Sequence, residues 1–335
     1  MASPKQALRE WQTSLCEPAV VAAEIERLAA QCAPEQQRLH LLSGVEQAAR
    51  YLASELSGTG PGRLLVMCGD GGGEALGAAT VLPLDFDSAI YRMNMGKLGW
   101  LLAAGGPTQR PWVKQRLADL AVWEATRCGY QHLTARVPAD EHDSIHALES
   151  AGFRSMDVQV TLAMGQPPAA PSISSRGVVI GRFAPGDLPH LLALSTEAYG
   201  ESRLFVDPDL PKAATRRLYR QWVENDCSGR APAVLVARMD GVPVGYIACL
   251  LHDPHPGFGI AGCGDIDLIT VSPLARGRGV GLALVQTALA WFAMRTHRVI
   301  VKTQATNYAA IALYQRAGFV LQQAFQTLHY SVQAA

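Results

Sequence analysis

The stretch Asp265–Leu284, DIDLITVSPLARGRGVGLAL, decides the fold of this chain. An apolar strand that ends at Val271 is followed by a proline-led turn, and the segment Arg276–Gly281 then runs into an amphipathic helix. The free N–H groups of a first helical turn, together with the helix dipole, bind anions such as a pyrophosphate. Glycines let the backbone approach such a group, and Arg276 and Arg278 add charge-assisted hydrogen bonds. The stretch therefore predicts a strand–loop–helix unit that binds a phosphate-bearing ligand.

The segment Arg276–Gly281, of the form R-x-x-G-x-G, resembles the loop with which GNAT N-acetyltransferases bind the pyrophosphate of acetyl-CoA. Downstream, Asn307–Phe319 has the form N-x-x-A-x-x-L-Y-x-x-x-G-F and is similar to the second motif of that superfamily. A glycine-rich turn alone fits many strand–helix connections. The two motifs together, in this order and at this distance, favour membership of the GNAT superfamily. The resemblance extends across residues 176–330 and is weaker across residues 64–164.

By that resemblance the fold class is α/β (α+β), with two tandem GNAT-like folds. Each is expected to be a mixed, mostly antiparallel sheet flanked by helices. Residues 1–57 are expected to form an N-terminal helical extension, 58–168 a degenerate GNAT-like domain and 176–335 the catalytic domain. The linker GQPPAAPSISS, at 165–175, separates the last two because proline and small polar residues are typical of domain boundaries.

An internal repeat supports this division. IHALESAGF at Ile145–Phe153 and IALYQRAGF at Ile311–Phe319 align without gaps, and a Thr-Leu pair follows each phenylalanine at the same distance. In the first copy Leu148 stands where the second has Tyr314, and GGPTQRPW stands where the R-x-x-G-x-G loop would be. The first copy is therefore predicted to have a structural or substrate-shaping role, without binding acetyl-CoA.

The resemblance also implies the path of acetyl-CoA, with its pantetheine arm in a gap beside the strand that ends at Val271. Asn307 and Tyr314, seven residues apart on one helix, share a face that meets this arm. Tyr314 is the candidate general acid, because a phenol of pKa ~10 is protonated at pH 7 and can give a proton to the leaving thiolate. The alternative is a tyrosine that only packs. The residues expected to bind acetyl-CoA are Leu268, Ile269, Thr270, Val271, Arg276, Gly277, Arg278, Gly279, Val280, Gly281, Asn307 and Tyr314.

The attacking amine must lose a proton, and two carboxylates are candidates for the base. Asp265 and Asp267 are expected to alternate onto one strand face with Ile269 and Val271. Either aspartate can act through a water molecule, or both can be solvated residues at a strand edge. His252 and His255, in HDPHPG, lack a third ligand and are expected to be loop residues beside the acceptor pocket.

Composition excludes several other classes. The 335 residues carry 29 basic and 29 acidic side chains, so no net field favours nucleic acid or an anionic membrane. Seven scattered cysteines without a C-x-x-C pair predict neither a zinc site nor disulfides, and no metal is expected. The absence of an apolar h-region and of a run of ~20 apolar residues predicts a cytoplasmic protein. The glycines of GDGGG, after Cys68, are interpreted as a loop or hairpin, and the helices of 1–57 as a layer on the main body or a homodimer contact.

The sequence thus predicts an acyltransferase that moves acetyl from acetyl-CoA to a primary amine by direct attack. The stretch Glu201–Gly229 resembles GNAT enzymes that acetylate an amino sugar carried on a nucleotide, which favours a small-molecule acceptor. A protein N-terminus or lysine is the alternative acceptor. An acyl-CoA-binding pseudoenzyme that acts as a sensor is the alternative class, although a pure binder has no use for the phenol of Tyr314. An oxidoreductase is excluded because a dinucleotide fingerprint is missing.

Overall fold

The computed structural model describes residues 24–32, 45–57, 63–68, 74–169, 177–198, 202–253 and 262–332. The glycine-rich loop after Cys68, much of the predicted linker and His255 lie outside these ranges. The helices are α1 (24–32), α2 (Val45–Ser57), α3 (Asp85–Tyr91), α4 (Gln109–Arg127), α5 (His142–Ser150), α6 (Leu188–Ala198), α7 (Arg203–Val206), α8 (Lys212–Asn225), α9 (Val280–Ala293) and α10 (Tyr308–Arg316). The strands are β1 (Arg63–Cys68), β2 (Ala75–Pro83), β3 (Met95–Ala103), β4 (His132–Pro138), β5 (Arg154–Met164), β6 (Val178–Arg182), β7 (Ala233–Met239), β8 (Val242–His252), β9 (Cys263–Val271), β10 (Val299–Gln304) and β11 (Val320–Ser331).

The described residues form two compact units that exchange strands. Of the described residues, the first unit contains those up to Met156 and those from Phe325 onward, and the second contains the others. Strand β5 pairs with β10 inside the second unit, whereas β11 pairs with β4 inside the first. The domain boundaries expected from the sequence, at 168 and 176, divide the chain into consecutive segments. The compact units differ from them because each takes its last strand from the other half of the sequence.

The first unit is a sheet with the strand order β1-β2-β3-β4-β11 and helices on both faces. All its neighbouring strands are antiparallel except β3 and β4. Helices α4 and α5 bury Leu117, Ala121 and Leu148 on one face. On the other face, α1 and α2 bury Leu28 and Leu52 against β1–β3. The described part of the predicted helical extension is therefore a layer on this sheet.

The second unit repeats this design with the strand order β5-β10-β9-β8-β7-β6, and only β9 and β10 are parallel. Helices α9 and α10 cover one face, where Leu284, Leu289 and Phe292 are fully buried. Helices α6 and α8 cover the other with Leu191 and Val223. In each unit the strands are mixed, mostly antiparallel and flanked by helices, which confirms the predicted fold class.

The internal repeat has the same geometry in both copies. Helices α5 and α10 each end in a glycine with φ of 97°, Gly152 and Gly318. The N–H group of Phe153 donates to the carbonyl of Leu148 over 2.9 Å, and that of Phe319 to Tyr314 over 3.0 Å. Only glycine adopts this φ without strain, so the Ala-Gly-Phe of both repeats encodes the same helix end.

Strands β2 and β3 and helix α3 were not predicted from the sequence. Their segments, Ala75–Pro83 and Met95–Ala103, contain alanine and glycine and alternate weakly between apolar and polar residues. Within the described part of the chain, no helix is long and apolar enough to cross a bilayer.

Candidate active site

The centre of the candidate site is a bulge in β9. Ile247 of β8 faces Ile269, while Cys249 faces Ile266, so two residue steps along β8 lie opposite three along β9. An extra residue reverses which face of the sheet the following side chains reach. Ile266 and Ile269 accordingly pack against α9 and α10, whereas Leu268 packs with α6 and α8.

The bulge corrects one expectation from the sequence. Strict alternation placed Asp265 and Asp267 on one face with Ile269 and Val271. In the structure Ile269 and Val271 contribute to the core under α9 and α10. Asp267 instead contacts Arg230, which follows α8 on the opposite face. The inserted residue between Ile266 and Ile269 is the physical reason, because it shifts the two-residue period by one.

Strands β9 and β10 pair only over their first halves. Their parallel register runs from Gly264–Val299 to Ile266–Val301, although β9 continues to Val271 and β10 to Gln304. The segment 267–271 of β9 therefore continues beyond the part that pairs with β10. It contains four residues that the sequence predicted to bind acetyl-CoA: Leu268, Ile269, Thr270 and Val271. This is the region where the sequence predicted a gap for the pantetheine arm.

The glycine-rich loop connects β9 to α9. Pro273–Ala275 form one turn of 3₁₀-helix, and Gly277 and Gly279 follow with φ of 74° and 78°. Gly279 is the N-cap of α9, so Val280 and Gly281 begin the helix. The first-turn N–H groups of a helix have no partner within it and point back along the axis, toward the solvent that this loop borders. Both glycines are required here because their backbone is left-handed.

The two arginines of the loop are exposed, and Arg276 donates from Nε to the carbonyl of Val271 over 3.4 Å. Their charges lie beside the positive end of the α9 dipole. Gly281 has a different role from the other two glycines. A Cβ at Gly281 would come 3.3 Å from Leu313 of α10 and 3.8 Å from Val271, so this glycine permits the close approach of α9 to α10.

Asn307 and Tyr314 lie at opposite ends of α10. Asn307 is the N-cap of the helix: its Oδ1 accepts from the N–H of Ala310, and its Nδ2 donates to Oγ1 of Thr303, each over 3.2 Å. Tyr314 is only 2% exposed and its ring packs edge-on against Phe319, with 5.9 Å between the centroids. The ring of Tyr314 is therefore fixed by the core, and Asn307 is a capping residue at the end of β10.

Asp265 lies in a charged cluster with residues from both neighbouring strands. Its Oδ2 is 3.1 Å from Nε2 of His252, at the end of β8, and 2.7 Å from Nζ of Lys302 in β10. Burial by itself raises the pKa of Asp265, but the hydrogen bonds and charges of His252 and Lys302 outweigh it and hold the pKa below its ordinary value. Asp265 is thus an anion at neutral pH and a weak base.

Asp267 belongs to a second cluster, with Arg230 and Asp226 from the π-helical segment after α8. The guanidinium of Arg230 lies 2.6 Å from Asp267 Oδ2 and also binds Asp226. Asp226 is 2% exposed, and burial together with the neighbouring charge of Asp267 raises its pKa to about 6. The two carboxylates and one guanidinium form a group whose charge changes near neutral pH.

The structure thus separates the predicted site residues, with Asn307 and Tyr314 at opposite ends of α10. The glycines and arginines lie at the start of α9, the strand residues lie beside the opening of β9 from β10, and the two aspartates lie in separate charged clusters. The sequence assigned His252 to a loop, whereas it is the last residue of β8. Lys302 and Arg230 were missed, because only the pairing of β8, β9 and β10 brings them to the aspartates.

Comparison with known proteins is consistent with this geometry. Residues 192–319 match the model of the Acetyltransferase (GNAT) family. The spore coat polysaccharide biosynthesis protein SpsD of Bacillus subtilis is 28% identical over 195 residues, which are 58% of this chain and 64% of SpsD. The dTDP-fucosamine acetyltransferase of Escherichia coli is 26% identical over 243 residues, covering 72% of this chain and 93% of that enzyme.

Two solved structures share the fold over nearly the whole chain. A GCN5-related N-acetyltransferase from Sphaerobacter thermophilus has a TM-score of 0.61 and 20% identity, covering 97% of this chain and 96% of that protein. A tandem GNAT protein from the clavulanic acid biosynthesis pathway has a TM-score of 0.56 and 15% identity, covering 95% and 96%. The predicted tandem arrangement of two GNAT-like folds is confirmed.

Proposed function

We propose that this protein transfers acetyl from acetyl-CoA to a primary amine, and the match of residues 192–319 to the Acetyltransferase (GNAT) family model supports the proposal. The observation that carries the proposal is the glycine loop at the start of α9, next to the point where β9 leaves β10. A helix N-terminus with two left-handed glycines and two exposed arginines fits a pyrophosphate. A strand segment that continues past its parallel partner fits an extended, amide-bearing arm.

Each predicted contact has a place in this proposal. The pyrophosphate would be held by the loop from Arg276 to Gly281 and by the first turn of α9. The pantetheine arm would lie along 268–271 in β9. Asn307 would act indirectly, by fixing the start of α10 and so the position of Tyr314. Gly281 would also act indirectly, by letting α9 and α10 pack closely.

Transfer would be a direct attack by the amine on the thioester carbon. The C–N bond forms as the C–S bond breaks, and the sulfur leaves as a thiolate that needs a proton. We assign this proton to the hydroxyl of Tyr314, whose ring is held by Phe319. A fixed phenol is suited to the role because it loses no rotamer freedom on reaching the transition state.

The acceptor we favour is a small molecule that carries a primary amine, such as an amino sugar or a nucleotide-linked amino sugar. The names of two relatives, a polysaccharide biosynthesis protein and a dTDP-fucosamine acetyltransferase, support this choice. A protein N-terminus or lysine is the second candidate acceptor. We further propose that the enzyme works in the cytoplasm without a metal, and that residues 176–335 carry the catalytic groups while the first copy supports them.

The proposal is tested with the full chain, acetyl-CoA and a panel of amines, following free thiol release and identifying the product by mass spectrometry. The panel contains glucosamine, a thymidine-diphosphate-linked amino sugar and a lysine-containing peptide. We expect thiol release with the amino sugars and a product heavier by one acetyl group. Acetyl-CoA binding without turnover of any amine would support the sensor alternative, and turnover of the peptide alone would favour a protein acceptor.

A further inference from the structure

A histidine, an aspartate and a lysine form a chain across three adjacent strands of the second unit. His252 ends β8, Asp265 lies in β9 and Lys302 in β10, and both partners contact the same oxygen, Oδ2 of Asp265. The carboxylate side chain is 6% exposed, whereas the imidazole is 51% exposed. The anion is thus the buried member of the group, and the imidazole is more exposed than the Lys302 side chain, which is 38% exposed.

The lysine contact decides which member can accept a proton. A carboxylate that already has an ammonium group at 2.7 Å is stabilised in its charged form, and its proton affinity falls. A carboxylate bound to one ring nitrogen of a histidine instead fixes the tautomer of that ring. With Nε2–H donating to Asp265, the lone pair of the imidazole is on Nδ1.

We propose that His252 is the general base of this acetyltransferase, and that Asp265 is a positioning residue whose charge Lys302 maintains. The inference rests on the proposed function, and it puts His252 in place of the two sequence-based candidates for the base, Asp265 and Asp267. An imidazole suits the role because its pKa in water is near neutral, where it can both take up and release a proton.

The proton transfers balance as follows. An amine that enters as R–NH₃⁺ gives one proton to Nδ1 of His252, and its lone pair then attacks the thioester carbon. The nitrogen loses its second proton to water as the C–S bond breaks, and the thiolate takes a proton from Tyr314. The products are the acetamide and free coenzyme A. His252 and Tyr314 return to their starting states by exchange with water, with one net proton released.

The charged and titratable groups around His252 are consistent with this role. Asp265 faces it from β9 and Lys302 lies behind Asp265 in β10. Cys263 is its cross-strand partner in β9, and burial raises the pKa of that thiol, so it stays protonated at neutral pH. Asp253 follows it along the chain. Asp265 is thus the charged group in contact with the imidazole among the residues that the structure describes.

The activity test compares His252→Gln with the wild type from pH 6 to pH 9, using acetyl-CoA and whichever amino sugar the wild type acetylates. Glutamine can still donate to Asp265 but cannot take up a proton at these pH values. We expect kcat to fall roughly 10²–10⁴-fold at pH 7, with partial recovery at high pH where solvent supplies the free amine. The matched control is His190→Gln on the exposed side of α6, which should keep wild-type rates.

A kcat for His252→Gln within threefold of the wild type at pH 7 would overturn the inference, and so would a loss that is equal at every pH. Failure of the proposed function gives a different result, because the wild type itself would then acetylate none of the amines. Acetyl-CoA affinity, measured by calorimetry, should be unchanged in His252→Gln, since the residue lies away from the glycine loop.

A spectroscopic test of the positioning role needs no acceptor. Two-dimensional ¹H–¹⁵N spectra of the full chain with ¹⁵N-labelled histidine report the tautomer of each neutral imidazole. We expect His252 to be protonated at Nε2 in the wild type and to become a mixture of tautomers in Asp265→Asn. A wild-type ring protonated at Nδ1, or an unchanged tautomer in Asp265→Asn, would contradict the proposed hydrogen bond.

Discussion

The two copies of the fold share their backbone design and differ in their chemistry. In the first copy Ala79 faces Leu101 and Val81 faces Leu98, so β3 has the same one-residue bulge as β9. Its parallel pairing with β4 also stops early, at Leu98–Ala135. The bulge and the early end of parallel pairing are therefore properties of the fold. They do not by themselves make a site.

The residues at matching positions show what the first copy lacks. Counted from the bulge, Lys97 takes the place of Asp265 and Gly99 that of Asp267, and the repeat places Leu148 at the position of Tyr314. The candidate acid and both carboxylates are thus replaced by groups that cannot perform their roles. Since the backbone is common to both copies, the proposed function of the second copy would depend on a few side chains and one loop.

The loops before α4 and α9 differ most. Residues 104–108 lead into α4, where the N–H groups of Gln109 and Arg110 both donate to the carbonyl of Gly106 over 3.1 Å. The third residue of that helix, Pro111, has no N–H group. The first turn of α4 therefore has few donors left for a phosphate, whereas α9 begins with Val280, Gly281 and Leu282 after a left-handed glycine.

The largest effect is expected at this loop. Gly279→Glu forces a side chain onto a backbone with φ of 78° and places a carboxylate where the pyrophosphate would lie. Acetyl-CoA binding should become undetectable by calorimetry while the far-ultraviolet circular dichroism stays that of the wild type. The matched control in the first copy is Thr108→Glu at the exposed N-cap of α4, which should leave binding intact. Unchanged affinity in folded Gly279→Glu would refute the loop assignment.

The next effect concerns Tyr314, the candidate general acid, which the first copy replaces with Leu148. Tyr314→Phe keeps the packing against Phe319 and removes the hydroxyl, so kcat should fall roughly 10²–10⁴-fold, about 3–5 kcal/mol, with little change in the acetyl-CoA dissociation constant. Single-turnover kinetics are needed so that the chemical step is observed. Tyr308→Phe, at a 76% exposed site of the same helix, is the control. Activity within threefold of the wild type would show that water or another group supplies the proton.

A third prediction concerns Asp226, the buried neighbour of Asp267, whose position in the first copy is occupied by Gly99. Because the folded pKa of Asp226 is raised to about 6, its contribution to stability is complete below about pH 4 and is lost as the pH rises through 6. Asp226→Asn remains neutral, so it should exceed the wild type in stability at pH 8 by up to about 3 kcal/mol. Urea unfolding at pH 4 and pH 8 measures the difference. A variant less stable than the wild type at pH 8 would mean that the bond to Arg230 outweighs the burial of charge.

The smallest effects are expected where the copies are alike. Gly152→Ala and Gly318→Ala should each cost about 1–2 kcal/mol of unfolding free energy, because both glycines have φ of 97°. Gly152→Ala should cost more, since its new Cβ would lie 3.2 Å from the ring of Tyr330, whereas at Gly318 the neighbour is the flexible end of Met164. Gly186→Ala, with no atom within 4 Å of its new Cβ, is the control. A loss of unfolding free energy in only one of the two variants would contradict the expectation that both repeats use the same helix end.

Much of this comparison could be predicted from the sequence. The Ala-Gly-Phe repeat, the glycine loop and the order of elements in the second half depend on local residue patterns, and local patterns determine helix ends and loops. The bulge in β9 could not be predicted, because an apolar strand with one extra residue has the same composition as a regular one. The contacts of Asp265 with His252 and Lys302 could not be predicted either, because they depend on the register between β8, β9 and β10.

The exchange of β5 and β11 between the units was not predictable either, since both strands directly follow their own repeat helices. The Thr-Leu pairs, which the repeat places at matching positions, lie in these exchanged strands. Thr161 faces Lys302 in the second unit, and Thr327 faces Arg136 in the first. A cut between 168 and 176 would therefore remove one strand from each sheet, and tests of the two copies need the full chain.

The central claim, that only the second copy binds acetyl-CoA, is tested most directly by the stoichiometry of binding to the full wild-type chain. Isothermal titration calorimetry with acetyl-CoA should give one site per chain, and Gly279→Glu should remove that site. Two sites per chain would mean that both copies bind acetyl-CoA, and one site that persists in Gly279→Glu and disappears in Thr108→Glu would place the ligand in the first copy; either result would contradict binding by the second copy alone.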